Sequence, residues 1–448
     1  MKNLWTIFAL ASSLYAAPVD DFGTLKVVGN AVTSSKTGLP AALRGMSFYH
    51  GQNKGGRDWV NRGVISWIAS DWHANVIRIP MMINDEGGTS GGVGYISDPT
   101  GSMKMVDSVV QAAIDLGIYV VIDWHEEQAP THQSQAVTFF STEAAKWGSH
   151  PNVIYEIYNE PNGPTWPTIK TYATAVIAAI RAKDANNLIV IGTPSWDQDL
   201  MSAANAPLTG VTNVAYSFHY YASDQNHQAF RVRADSAMTK GIALFVTEWG
   251  NSDASGGGTL NTGYMDAYMN WITSAKISWC NWSLSDVPET SAALENGTWN
   301  AQGLINHVIS TTGGWTNPAT QLSQSGNYVR SKMISLNAAY TPPGSGTSTT
   351  SSSSKATSSA SNVLTVPELN SIHYEIVNSG VEINLGDSRN WVSAQMMNIM
   401  GHELARTEVE QGQATIRLIS SKSFAGPAII KLTSNDGSSY NFRVTLTK

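Results

Sequence analysis

Short apolar runs and longer amphipathic stretches alternate through most of this 448-residue chain. Eight runs stand out: Leu43–Phe48, Asn75–Met81, Ile118–His125, Val153–Glu160, Leu188–Thr193, Val214–Tyr221, Ala243–Gly250 and Ile277–Leu284. Most are rich in Val and Ile, as strands buried on both faces should be. Helix-period segments lie between them. Met103–Leu116 carries Met105, Val109 and Ala112-Ala113 on one side and meets Gly117 as a stop. Ile169–Lys183 and Tyr264–Ala275 are two more. Eight strand–helix repeats in roughly three hundred residues predict an α/β architecture, the closed (β/α)8 TIM barrel. A doubly wound open sheet is the rival, but no glycine-rich phosphate loop follows the first run. Ahead of the barrel, Leu25–Asn30 and Ala31–Leu43 predict a small hairpin that plugs or caps one end.

The pattern breaks after Tyr340. Residues 342–362 are almost entirely Ser, Thr, Gly and Ala, too polar to bury a core, and are expected to form a linker. It separates a first domain, 18–341, from a C-terminal piece, 363–448. In that piece Val381–Leu385, Ala414–Leu418, Ala428–Leu432 and Phe442–Leu446 alternate apolar and polar positions, and Asn435-Asp436-Gly437 reads as a hairpin turn. A small all-β sandwich is predicted. Residues 1–17 read as a signal peptide, with Lys2, the apolar stretch Leu4–Ala11 and the small-residue end Tyr15-Ala16-Ala17. That stretch is too short to span a bilayer, so no membrane span is expected. The mature chain should be secreted or held at the cell surface. Cys280 is the only cysteine, which excludes an intrachain disulfide. The net charge of −7 argues against nucleic acid as a partner.

The chemistry gathers where the runs end, which in a barrel is where reacting groups sit. Glu160 and Glu248 close runs four and seven. Two carboxylic acids at two strand ends are the minimum equipment for cleaving a glycosidic bond: one protonates the leaving oxygen, the other attacks or activates water. Arg78 lies toward the end of run two, Asp123 and His125 end run three, Asn159 precedes Glu160, Trp196 follows run five, His219 and Tyr221 end run six, and Trp282 lies near the end of run eight. The 15 Trp and 16 Tyr suit stacking on the apolar faces of sugars as well as core packing. Glu156 shares a strand face with Glu160 and reads as an internal barrel pairing residue. The spacing of His125-Glu126-Glu127 fits no ligand set, so no metal and no cofactor are assigned.

Over residues 25–335 these segments resemble glycoside hydrolase family 5, most closely its bacterial endoglucanase branch. The match runs in order through Arg44-Gly45-Met46-Ser47, Arg78-Ile79-Pro80, Asp123-Trp124-His125, Asn159-Glu160-Pro161-Asn162, His219-Tyr220-Tyr221, Thr247-Glu248-Trp249-Gly250 and Trp279–Asp286. The resemblance implies a retaining mechanism and a β-1,4-glucan such as cellulose. Xylan, mannan or mixed-linkage glucan are alternatives on the same machinery, and a non-catalytic glucan-binding protein is the reading from another class. Glu160 is expected to be the acid/base, its pKa raised by burial and the opposing carboxylate. Glu248 is the expected nucleophile, kept ionised by Arg78 with a further hydrogen bond from Tyr221. Asn159 should hold the sugar 2-hydroxyl. His125 and His219 should bind hydroxyls or orient the acids. Trp282 should stack under the sugar before the cleaved bond, and Trp196 on a neighbouring unit. Two departures concern distal sugars. Val287 stands where relatives often carry a Lys, leaving Glu289 as a candidate contact. Tyr49 and His50 both offer themselves where relatives present a His or an aromatic platform. The C-terminal run Met397–Arg406, with Phe424-Ala425-Gly426 and a final strand, resembles sorting domains of the type IX secretion pathway, which implies secretion machinery as a partner. A carbohydrate-binding module is the alternative, with Trp391, Tyr374 and Tyr440 as the available stacking residues.

Overall fold

The computed structural model describes residues 17–87, 91–224, 226–297 and 321–340, together with the strands between 373 and 446 and a few residues joining them. The expected signal peptide (but for Ala17), the linker, the turn at 435–437 and the side chains of Tyr374, Trp391 and Tyr440 lie outside the described residues. The chain divides into two compact units, Met1–Ser348 and Thr349–Lys448.

In the first unit a hairpin, β1 (Leu25–Val28) and β2 (Ala31–Ser34), turns at Gly29, whose φ of 61° lies in the left-handed region that glycine tolerates. Eight parallel staves follow: β3 (Arg44–Phe48), β4 (Val76–Met82), β5 (Tyr119–His125), β6 (Val153–Glu156), β7 (Leu188–Ile191), β8 (Val214–Ser217), β10 (Leu244–Gly250) and β11 (Ser278–Leu284). Each pairs with the next, and β11 pairs with both β10 and β3, so the sheet closes on itself. Every stave falls within or against one of the eight apolar runs. The two-residue strand β9 (Tyr220–Tyr221) adds to the end of β10, with Gly250 opposite Tyr221.

Closure depends on close backbone approach. A methyl group at Gly45 would lie 1.8 Å from the Val76 carbonyl oxygen, so only glycine lets β3 meet β4 there. Two apolar cores result. One surrounds the barrel, between strands and helices, and includes Trp72, Trp124, Phe139, Tyr172 and Trp279. The other fills the end where strands begin: Leu25 and Val32 of the hairpin pack with Val76, Val121, Ile154, Val190, Phe245 and Cys280. The hairpin therefore plugs the barrel, and Asn213 fastens it by accepting from the Val27 N–H (2.7 Å) and donating to the Leu25 carbonyl (2.9 Å).

The helices match the periodic stretches, with shifted starts. Pro99–Leu116 begins earlier than its apolar stripe because Asp98 caps it and Pro99 sits in its first turn; Gly117 ends it at φ 71°. Trp166–Arg181 and Thr262–Ala275 are the other two expected. Runs four and six depart from single strands. β6 ends at Glu156, and run six breaks into β8 and β9.

The second unit is all-β. β12 (His373–Val377), β13 (Gly380–Asn384) and β16 (Thr415–Ile419) form one antiparallel sheet. β14 (Trp391–Asn398), β15 (Glu403–Glu408), β17 (Gly426–Ser434) and β18 (Ser439–Leu446) form another. Val381, Ile383, Ile416 and Leu418 share one core with Ala394, Met396, Ile430, Leu432 and Val444, which makes the pair of sheets a sandwich.

Candidate active site

At the strand-end mouth of the barrel one guanidinium organises four acidic or amide groups. Arg78 on β4 is fully buried. Its Nε donates to Glu156 Oε2 at 2.7 Å, Nη1 to Glu248 Oε2 at 2.8 Å, and Nη2 to Asn159 Oδ1 at 2.7 Å, with Asp123 Oδ2 at 2.9 Å from Nη2. Burial alone would weaken its hold on the proton, but Asp123, Glu156 and Glu248 raise it well above the usual arginine value. Burial also pushes Glu156 up, yet Arg78 and then His219 win and hold it at about 2. Asp123 goes the other way: burial, with Glu156 and Glu248 close by, lifts it well above the carboxylate range despite Arg78. Glu156 is thus the internal pairing residue its strand position suggested.

Glu248 receives a second donor, the Tyr221 hydroxyl at 2.8 Å on Oε1. That contact relies on β9 lying beside β10 and on Gly250, where a side chain would strike the Tyr221 ring. Tyr221 stays protonated and able to donate, because burial and the neighbouring Glu248 push its pKa well up.

Glu160 lies four residues beyond the end of β6, with φ 48°. His219 Nδ1 is 3.0 Å from its Oε1. Burial raises the Glu160 pKa and Glu248 adds to it, against the pull of His219 and Arg78. One oxygen of Glu160, one of Glu248 and a ring nitrogen of His219 all lie within 4.8 Å of one another. On the other side of His219, Nε2 meets Thr247 Oγ1 at 2.9 Å, with Asp197 Oδ2 at 3.4 Å and Glu156 Oε1 at 3.8 Å. Burial opposes charge on this ring, but Asp197, Glu156 and Glu160 raise its pKa well above 6.5.

A cleft of about 330 Å³ opens over these groups. It brings together Glu160, Glu248, Asn159, Tyr221, His125, Trp282, Glu289, Tyr49 and His50, all expected from sequence. Trp282, joined to Ser283 by a cis peptide, stacks on His125 with ring centres 5.7 Å and planes 5° apart. His125 Nδ1 is paired with Asp123 Oδ2 at 2.7 Å, and burial, then His50, Arg78 and His219, keep this ring neutral. Tyr49 and His50 both contribute: they stack on each other at 4.7 Å, each packs against Trp282, and His50 Nδ1 reaches Glu86 Oε1 at 2.7 Å. Glu289 is pushed up by burial and accepts from the Ser291 hydroxyl at 3.2 Å. Arg78 and His219 act from behind the cleft wall.

Trp196 is the expected residue the structure does not bring in. It is 45% exposed and outside the cleft lining, because the turn that carries it has left-handed backbone at Ser195, Trp196 and Asp197. Sequence reasoning missed Asp197, Thr247 as a ring partner, and Glu126 and Glu127 as cleft wall. The position of Glu126 and Glu127 directly after His125 was the available signal for the last two. A scaffold that sets a carboxyl raised by burial beside one bonded to Arg78 and Tyr221, above an aromatic floor, suits acid-assisted displacement at a sugar carbon.

Comparison with known proteins agrees with this chemistry. A family model described as cellulase (glycosyl hydrolase family 5) matches residues 34–287. An endoglucanase of Clostridium saccharobutylicum is 41% identical over 70% of this chain and 66% of its own length. Endoglucanase N of Pectobacterium atrosepticum is 38% identical over 72% of this chain and 68% of its own length. This chain therefore spans about two thirds of the length of these relatives. The catalytic domain of a Thermobifida fusca endoglucanase, solved with cellotetraose, superimposes with a TM-score of 0.61 at 30% identity, covering 71% of this chain and all of that domain.

Proposed function

The chain belongs to glycosyl hydrolase family 5, the cellulases, and from that premise we propose that it is an exported, retaining endo-β-1,4-glucanase acting on cellulose and related β-glucans. The observation that carries the reading is the approach of Glu160 and Glu248 oxygens to within 4.8 Å in one cleft. Retaining enzymes hold their carboxyls at about 5–5.5 Å, whereas inverting enzymes leave about 6.5–9.5 Å for a water. Glu248, held between Arg78 and Tyr221, attacks the anomeric carbon as Glu160 gives its proton to the leaving oxygen. Glu160, now an anion, takes a proton from the water that hydrolyses the glycosyl–enzyme bond. Asn159, fixed by Arg78, meets the 2-hydroxyl, a contact that strengthens as the ring flattens. Trp282 supports the sugar before the cleaved bond. Cellotetraose bound to the Thermobifida fusca domain supports the choice of glucan.

Glu160→Gln and Glu248→Ala are each expected to lose at least ~10³-fold in carboxymethylcellulose hydrolysis. Either variant keeping parental turnover removes that residue's role. Proton NMR of fresh products should show the β-anomer first, and α-anomer would mean inversion. A panel of cellulose, mixed-linkage glucan, xylan and mannan tests the substrate. The C-terminal sandwich is proposed to serve sorting through the type IX pathway. Deleting residues 363–448 should abolish export or surface attachment while leaving cellulose binding intact; lost cellulose retention would favour a binding module.

A further inference from the structure

The turn after β7 places three consecutive non-glycine residues, Ser195, Trp196 and Asp197, at φ of 59°, 56° and 60°. Such a run persists only where its surroundings over-determine it, and clusters at functional sites. What it delivers is the carboxylate of Asp197, wholly buried and outside the cleft lining. Asp197 Oδ1 accepts from the Thr193 N–H, and Oδ2 accepts from the Glu160 N–H at 3.2 Å. The same Oδ2 lies 3.4 Å from His219 Nε2, and the Asp197 carbonyl accepts from the His219 N–H at 3.2 Å. One residue therefore grips both members of the acid pair: Glu160, itself in left-handed backbone, and the ring that touches its carboxyl.

Resting on the hydrolase reading above, we propose that Asp197 is a positioning residue for the acid–base step. It keeps His219 doubly protonated, so that Nδ1–H is always directed at Glu160 Oε1 and the acid's transferable proton is confined to Oε2.

The need arises from imidazole chemistry. A neutral ring has two tautomers. With the proton on Nε2, the bare Nδ1 would draw the Glu160 proton toward itself and away from the glycosidic oxygen. Full protonation removes the choice. The groups facing His219 are Glu160 at Nδ1 and, at Nε2, the Thr247 hydroxyl, Asp197 and Glu156, with Glu248 farther off. Glu156 is committed to Arg78 through both oxygens, and Glu160 must carry a proton of its own. Glu156 also helps to hold the ring's charge but is shared with Arg78, whereas the charged partner the structure gives Asp197 is His219. Burial lifts its carboxyl to about 7 against the pull of His219, while two backbone N–H groups favour its anion. The proton the pair shares sits on the ring, whose affinity is raised further.

The test is a carbon and nitrogen NMR titration of histidine-labelled full-length protein, with the His219 signals assigned from a His219→Asn spectrum. In the parent His219 should remain charged through pH 8. In Asp197→Asn its midpoint should fall by about one pH unit or more. On a soluble glucan kcat should drop ~10-fold with KM within about twofold. A merely structural role would lower kcat and leave the ring's titration unmoved. A parental His219 that titrates near the ordinary histidine value overturns the proposal without any variant. So does an Asp197→Asn protein whose His219 titrates as in the parent. Glu160→Gln at parental turnover would instead sink the hydrolase reading itself.

Discussion

Replacing Arg78 by Met tests whether one guanidinium holds the site together. In the parent, Glu156 drops from 4.5 to about 2, which corresponds to ~3 kcal/mol of stabilisation from that carboxylate alone. A depressed carboxyl contributes above its unfolded value and loses that contribution as pH falls through its folded value. Glu156 therefore contributes fully above pH 4.5, and its contribution declines from there toward pH 2. Without Arg78 only His219 is left to oppose burial, and Glu156 should then titrate above its unfolded value. The variant should be most stable below about pH 4.5 and lose stability as pH rises. Breaking a buried pair costs ~3–5 kcal/mol at neutral pH, so Tm should fall on the order of 10 °C. Glu248 also loses one of its two donors, which should cost ~10²–10³-fold in kcat. Scanning calorimetry and carboxymethylcellulose hydrolysis at pH 5, 6.5 and 8 read both effects. A variant with Tm within about 2 °C of the parent and no steeper fall than the parent's between pH 5 and 8 would refute the argument, because the cost and the added slope arise from the same uncompensated carboxylates.

Two further outcomes follow from particular side chains. Trp282→Ala removes the cleft floor that His125, Tyr49 and His50 pack against, and should raise KM for cello-oligosaccharides ~10-fold with a smaller effect on kcat; the reverse pattern would mean that Trp282 acts on the reacting bond. Glu143, on the helix Gln133–Trp147, is raised by burial and by Asp107 to about 8, so it costs stability as pH climbs from 4.5 through 8. Glu143→Gln cannot ionise and should be more stable than the parent at pH 8 by on the order of 2 kcal/mol, with the gain vanishing at pH 4; equal melting curves at pH 8 would contradict this.

The barrel was legible because its information is local. A stave buried on both faces must be apolar throughout, so each of the eight runs carries its own signal, and parallel neighbours with helical crossovers leave few ways to close them. The two irregular runs were misjudged for the same reason. Residues 157–160 continue the apolar pattern of β6 in sequence, but the Ile157 N–H bonds to Val190 and the chain then turns into left-handed backbone at Glu160, which no periodicity marks. That turn is functional: as the eighth residue of a continued strand Glu160 would point into the barrel or out of it, whereas the left-handed step aims it across the mouth at His219 and Glu248.

The site divides along a similar line. Residues within or at the end of their own strand, such as Arg78, His125 and Glu248, announce themselves by being polar where the run should be apolar. Glu126 and Glu127 were hidden by being polar in a loop, where polarity says nothing. Asp197 was hidden more thoroughly. Its neighbours Trp196, Gln198 and Asp199 read as an ordinary surface turn, and Trp196 drew attention as a stacking residue although it is the exposed one. The meaning of Asp197 depends on Gly192, where any side chain would strike the Tyr158 carbonyl and Pro161, and on a backbone that turns Trp196 out and Asp197 in. An inward carboxylate in a polar loop can be recognised only once the loop's path is known. The groups that tune the acid are for that reason the last to be read from sequence, and the first whose titration should be measured.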